Sequence, residues 1–412
     1  MSHLGIVSAI ALATKNIQCI GIDTNPKIID ELNSKVWPIQ EPGIEQSFKL
    51  TEGRLTFSSD ITKLKECEIV YISQDVPTDH FGNSDLVGIE KLIEIANENI
   101  PRDSRIVILC QVPPGFTRKM KKYHENISYQ VETLVFGDAF FRAISPERII
   151  VGLEDPNVSI DTGYNSILEC FSCPIIFVDY ESAEFTKISI NAFLAASIIT
   201  TNSLNEIANG VGADWNSIKR SLQLDRRIGE YAYLKPGLGI SGGNIERDLK
   251  TLDALSNYYT SIEVSLFQTI LNFSQEQKNW IVKVISEKLL NHDQNAKIGI
   301  LGISYKENTG STKNSIALMV AEKFTKNVIG AYDPISVFPK EYSSIKIFST
   351  AYECIIASDL VVIVTPWQEF SNLDLNTLPK DKQETIIILD PYSILKVDNL
   401  ENNIQIIKLV KN

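Results

Sequence analysis

Short runs of valine, isoleucine and leucine alternate with longer helical patterns in both halves of the chain, and this alternation restricts it to an α/β architecture. The runs fall at residues 18–22, 68–73, 105–109 and 174–178, and again at 297–301, 328–332, 360–364, 385–389 and 404–409. Strands that are apolar without interruption belong to parallel sheets covered on both faces. The sequence therefore predicts two Rossmann-like doubly wound parallel sheets. Residues 181–290 carry helical periodicity with few strand signals and predict a central helical domain. The expected domains are 1–180, 181–290 and 291–412. Asp214 stands where an N-cap belongs, before the helical pattern that starts at Trp215. Residues from about 251 to 290 contain no glycine or proline and predict one long helix. Two uses of it stay open, an apolar face for a dimer or a merely amphipathic surface helix.

A length of 412 residues, at roughly 150 per domain, suggests two or three domains. With 44% hydrophobic and 22% charged residues, disorder, collagen and coiled coil are excluded as the main state. The net charge of −12 argues against nucleic acid or an anionic membrane surface as partner. No apolar run reaches the ~20 residues that span a bilayer, and the N-terminus lacks the basic and cleavage features of a secretory signal. Six scattered cysteines suit a reducing cytosol, so a cytoplasmic location is expected. Cys170 and Cys173 form a lone C-x-x-C with no second pair. His3, His80, His124 and His292 lie far apart, and no metal site is expected.

A dinucleotide fold usually opens with a strand, then G-x-G-x-x-G, then a helix. Here a helical pattern starts almost at once and leads to the strand at 18–22, which ends in Asp23. An acid at that place holds the adenosine ribose in NAD-binding folds. Gly5 then corresponds to the third glycine of the fingerprint, and the first strand would precede Met1. Two readings stay open: a chain whose start lies upstream, and a degenerate domain that no longer binds NAD.

Several motifs occur in one order. They include Glu41-Pro42-Gly43, Val76-Pro77-Thr78, Val112-Pro113-Pro114-Gly115, Ser145-Pro146-Glu147-Arg148, and Lys187 with Asn191-Ala192-Phe193. Further on come Gly212-Ala213-Asp214, Arg227-Ile228-Gly229, Pro236-Gly237-Leu238-Gly239, Gly302 with Lys306 and Thr309, Tyr332-Asp333-Pro334, and Thr365 with Trp367. In this ordered set the chain resembles the UDP-glucose/GDP-mannose dehydrogenase family over nearly its whole length. The resemblance implies an NAD-binding domain, a central dimerisation domain and a UDP-sugar-binding domain. It implies a cytoplasmic homodimer serving surface polysaccharide synthesis. It also implies oxidation of a sugar 6-hydroxyl to an aldehyde and then a carboxylate, with NAD as acceptor and a cysteine thiolate needed for the second step.

Carried over residue by residue, the resemblance makes Lys187 and Asn191 stabilisers of the developing oxyanion and anchors of a water. They are four apart on a helix and share a face. Asp248 would organise that water, and Glu147 would be the acid of a Pro-Glu motif. The Ser-Pro-Glu-Arg form resembles the branch that oxidises N-acetylated hexosamines. Gly5, Asp23, Thr78 and Lys313 would address NAD. Arg148, Arg227, Tyr233, Gly239, Tyr305 and Lys306 would address the UDP-sugar.

The departures are as telling. The glycine-rich loop reads Gly237-Leu238-Gly239-Ile240-Ser241-Gly242-Gly243-Asn244-Ile245-Glu246-Arg247-Asp248, so Asn244 occupies the family's cysteine position. Gln111 stands for a threonine, Arg247 for a lysine and Lys313 for an arginine; at bidentate phosphate sites the last two exchanges are not equivalent. An amide cannot form a thiohemiacetal. Three functions stay open: a dehydrogenase limited to one two-electron step, a full dehydrogenase working through a hydrate, and a UDP-sugar-binding pseudoenzyme or partner subunit.

Overall fold

In a computed structural model the described residues are 1–77, 84–261, 264–291, 293–378, 385–396 and 403–409. The chain divides into two units, Met1–Ile190 and Asn191–Asn412.

The first unit opens with the helix His3–Thr14. Ser2 caps it, its hydroxyl accepting the Gly5 amide at 3.2 Å, and Ile6, Val7 and Ile10 are fully buried. Strands β1 (Cys19–Ile22) and β2 (Leu55–Ser58) pair in parallel as a sheet of their own. The other five, β3 (Ile69–Ile72), β4 (Arg105–Ile108), β5 (Ile127–Gln130), β6 (Ile149–Leu153) and β7 (Ile175–Asp179), form a second sheet in that order. All its pairs are parallel except β5 with β6. The expected parallel sheet thus comes as two pieces with one antiparallel pair. Strands β2, β5 and β6 lie outside the nine apolar runs. Ile127-Ser128-Tyr129-Gln130 mixes polar with apolar residues, so no uninterrupted apolar run announces it.

The second unit holds a six-stranded parallel sheet. Its strands are β8 (Ile298–Leu301), β9 (Val328–Tyr332), β10 (Lys346–Ile347), β11 (Leu360–Ile363), β12 (Ile386–Asp390) and β13 (Ile404–Lys408). Their spatial order, β10-β9-β8-β11-β12-β13, is the doubly wound order with its switch between β8 and β11. Ile298, Ile300, Leu301, Ile388, Leu389 and all of β11 are fully buried. At roughly 1.5–3 kcal/mol per side chain, this is the main driving force for the unit.

Between the sheets the chain is helical, as expected. The helix Tyr180–Val211 runs for 32 residues. Asp214 caps Trp215–Leu224, accepting the amides of Asn216 and Ser217 at 3.1 and 2.9 Å. The single helix expected over about 251–290 is instead two, Asn244–Tyr259 and Leu266–Ile285. The break needs no glycine or proline, because Ser265 caps the second helix by accepting the Gln268 amide.

Candidate active site

In the first unit the functional candidates gather at the carboxyl ends of parallel strands, where open α/β sheets place their ligands. Asp23 follows β1 and accepts an ion pair from the Met1 ammonium. Gly5 is in the first turns of its helix, and a Cβ built there would lie 2.7 Å from the Ser73 hydroxyl oxygen just past β3. A larger residue there would have to turn the Ser73 hydroxyl aside, so the glycine favours this close approach of helix to strand, as the fingerprint's third glycine does. An acidic group at a strand end beside a glycine-packed helix N-terminus fits the adenosine half of a dinucleotide. Thr78 lies outside the described residues.

Gln111 follows β4 and Glu132 follows β5. Glu132 was not among the sequence candidates. Its carboxylate accepts the Thr133 amide at 2.6 Å, and the Lys187 ammonium donates to the Glu132 carbonyl oxygen. Burial pushes the Glu132 carboxyl up from its ordinary range, against the opposing charges of Lys187 and Arg142. Glu147, the sequence candidate, has its side chain 66% exposed and pairs with Arg142 at 3.4 Å and with Arg148 at 3.3 Å. Arg142 also donates to the Thr133 carbonyl at 2.9 Å, so Glu147 is linked through Arg142 to the turn that carries Glu132.

One turn before Lys187, Glu184 is fully buried. It accepts the Gly115 and Thr117 amides at 2.5 and 2.7 Å. This fastens the turn that follows Gln111 to the helix of Lys187. Burial pushes the Glu184 carboxyl up as well. Its signal in the sequence is slight: one carboxylate in an otherwise ordinary helix face.

In the second unit Asn191 donates its side-chain amide to Asp248 at 2.5 Å, and Asp248 is almost fully buried. Arg247, also buried, lies 3.5 Å from the same carboxylate. Asn244 is the first residue of the helix Asn244–Tyr259 and is exposed, one turn from Asp248. The glycine loop before it is held by side chains. Thr201 donates to the Tyr233 carbonyl at 2.8 Å, and Trp215 to the Leu234 carbonyl at 3.1 Å. Asn202 accepts the Gly237 amide at 2.9 Å, and Ser274 accepts the Ile240 amide at 2.8 Å.

Gly239 has φ +81°, and a Cβ there would stand 2.7 Å from the Ser274 carbonyl oxygen. At Gly242 a Cβ would meet the Tyr305 ring at 2.9 Å, and at Gly243 the Lys313 side chain at 2.9 Å. So the structure brings Tyr305 and Lys313 onto the glycine turn. Tyr305 and Lys306 lie just past β8, beside the sheet's switch point, and the Lys306 ammonium is 6.0 Å from the Tyr305 ring centre. Tyr233 is exposed. Arg227 points into solvent, paired with Asp225 at 2.7 Å. The loop after β8 hangs on Asp333. One oxygen of that buried carboxylate accepts the Ile303 amide at 2.6 Å, the Ser304 amide at 3.1 Å and the Trp367 indole N–H at 3.0 Å. The other accepts the Ile335 and Ser336 amides at 2.9 and 2.8 Å.

Among the described residues no helix is long and apolar enough to cross a membrane, and no cluster of side chains could hold a metal ion.

Comparison with known proteins matches all three parts of this architecture. The family models for the NAD-binding, central and UDP-binding domains of the UDP-glucose/GDP-mannose dehydrogenase family match residues 1–169, 181–278 and 299–397. The UDP-glucose 6-dehydrogenase of Rickettsia bellii is 27% identical over 97% of this chain and 95% of its own. YwqF of Bacillus subtilis, a UDP-glucose 6-dehydrogenase, is 27% identical over 96% of this chain and 92% of its own. Among solved structures, the UDP-D-ManNAc dehydrogenase of Pyrococcus horikoshii superposes with a TM-score of 0.83 at 22% identity, covering 98% of this chain and 97% of that one. With its domains matched in order and its fold shared, the chain belongs to the UDP-glucose/GDP-mannose dehydrogenase family, whose members are NAD-dependent dehydrogenases of nucleotide sugars.

Proposed function

We propose that the protein oxidises the 6-hydroxyl of a UDP-sugar to the aldehyde and stops after that single two-electron step. The observation that carries this reading is Asn244 at the start of the helix that bears Asp248. A second oxidation through a thiohemiacetal needs a thiolate. The one cysteine of the second unit, Cys354, is fully buried, and burial pushes its thiol up to about 12. Alcohol oxidation needs no thiol. The Gly5 helix and Asp23 in the first unit would hold NAD, which when bound would accept the hydride from the alcohol carbon.

The proton of the alcohol passes to a base. The raised carboxyl of Glu132, rather than exposed Glu147, is suited to take it. Lys187 supplies positive charge for the developing alkoxide, and Asn191, one turn along the same helix and fixed by Asp248, supplies an amide donor. Tyr305, Lys306, Tyr233, Gly239, Arg148 and Arg227 are assigned to the sugar nucleotide, and Lys313 to the cofactor side.

The test is the number of NADH formed per sugar consumed, followed at 340 nm with a panel of UDP-sugars. We expect one NADH per sugar and an aldehyde product. Asn244→Cys is expected to raise the count toward two and to yield a uronic acid. Two NADH per sugar with Asn244 in place would overturn the single-step reading. A UDP-sugar that raises the melting temperature without any NADH would favour a binding-only protein.

A homodimer is part of the same proposal. Phe193, Leu204, Ile207 and Val211 lie along one stripe of the helix Tyr180–Val211 and are 78, 44, 62 and 75% exposed. Apolar stripes of this kind on a folded unit mark association surfaces. Light scattering after size exclusion should give twice the 46.1 kDa chain mass. Leu204→Glu combined with Ile207→Glu should reduce it to one chain. A wild-type monomer at micromolar concentration would remove this part.

A further inference from the structure

The helix Leu266–Ile285 touches the glycine loop at two residues one turn apart. Ser274 holds the Ile240 amide, and Lys278 reaches the far side of the loop. Lys278 is 7% exposed, and its ammonium lies 2.8 Å from one carboxylate oxygen of Glu246. The other Glu246 oxygen accepts the Asn314 side-chain amide at 2.6 Å. Asn314 also donates to the Gly242 carbonyl at 3.0 Å. Glu246 is two residues past Asn244, and Asn314 follows Lys313, whose side chain lies over Gly243. A buried lysine, a half-buried carboxylate and an exposed amide therefore tie three segments together at one turn: the helix Leu266–Ile285, the loop 303–315 and the start of Asn244–Tyr259.

A buried ion pair is a poor source of net stability, because desolvation offsets most of the attraction. What it does provide here is a fixed geometry, since Glu246 must satisfy Lys278 and Asn314 at once. We propose that Lys278, Glu246 and Asn314 are positioning residues that hold the Gly239–Asn244 turn in register with Tyr305 and Lys313. The proposal rests on the reading of this loop as the sugar-nucleotide site. None of the three touches the reacting atoms; each acts through the turn.

The design separates register from stability. Glu246→Leu with Lys278→Met removes both the ion pair and the Asn314 acceptor. Glu246→Gln with Lys278→Met removes the ion pair but keeps an amide oxygen for Asn314. Replacing a buried ion pair as a whole is often close to neutral for stability, so both should melt near the parent. The Leu/Met variant should lose at least about tenfold in kcat, while the Gln/Met variant should stay within about threefold. Asn314→Ala, at an exposed position whose φ of +52° alanine adopts at a modest cost in stability, should reproduce the Leu/Met loss.

Equal turnover in the Leu/Met and Gln/Met variants, or a full-rate Asn314→Ala, would overturn the proposal. If the parent forms no NADH from any UDP-sugar, the catalytic reading fails separately, and the clamp is read from the melting rise caused by UDP. That rise should shrink in Leu/Met and Asn314→Ala and persist in Gln/Met. An undiminished rise, or no rise in the parent, overturns it.

Discussion

On the role proposed for it, Lys187→Met is expected to lower the kcat for NADH formation from a UDP-sugar by on the order of 10²–10³, the loss typical of removing one preorganised donor from a developing oxyanion. The melting temperature should move little, because Lys187 is only half-buried and water can satisfy the Glu132 carbonyl to which it donates. Lys187→Arg should not restore the rate. A guanidinium keeps the charge but presents a wider, planar fork to a site built for a point charge. The decisive comparison is kcat against KM. An interaction formed only in the transition state lowers kcat and kcat/KM together. A variant that retains kcat within about fivefold and loses only KM would reduce Lys187 to a binding residue.

Asp333→Ala is expected to destabilise the second unit by on the order of 4 kcal/mol, because buried donors left without an acceptor cost about 1–3 kcal/mol each. Ile303, Ser304, Ile335 and Ser336 all present amides to this carboxylate, and Trp367 adds its indole N–H. For a unit of this size the cost corresponds to a fall of roughly 10 °C in melting temperature. Asp333→Asn keeps the shape and one good acceptor, and should cost about half as much. Scanning calorimetry suits the measurement, since a chain of two units need not melt in one transition. The effect should extend to binding, as the loop that Asp333 fastens carries Tyr305. A shift under about 3 °C for Asp333→Ala would show that the loop after β8 is supported elsewhere.

The sequence was most legible where burial is simplest. Leu360-Val361-Val362-Ile363 is apolar throughout and is a fully buried central strand. Strand β5 was hidden because its Ser128 and Gln130 serve hydrogen bonds rather than the core: Ser128 accepts from Arg105 at 2.5 Å and Gln130 from Tyr164 at 3.0 Å. The helix break before Leu266 was hidden because a serine cap leaves a weaker trace than glycine or proline. For the site, Lys187, Asn191 and Asp248 could be named only through the family resemblance, since spacing alone leaves them an ordinary helix lysine, amide and acid. Glu132 could not, because nothing in Val131-Glu132-Thr133 announces a special carboxylate. What distinguishes it is its setting at the end of β5 beside a lysine that is distant in sequence. Glu147, carried over from the family's Pro-Glu motif, lies in the fold in ion pairs with Arg142 and Arg148.

The interlock of Tyr305 with Gly242 and of Lys313 with Gly243 has an evolutionary consequence. A bulkier residue at 242 needs a smaller one at 305 and must also adopt a left-handed backbone at φ +85°, while one at 243 needs only that the flexible Lys313 side chain turn aside. The two segments, 63 and 70 residues apart in the chain at these contacts, are therefore expected to vary together. A loop transplanted between relatives without its counterpart would arrive with the wrong mould.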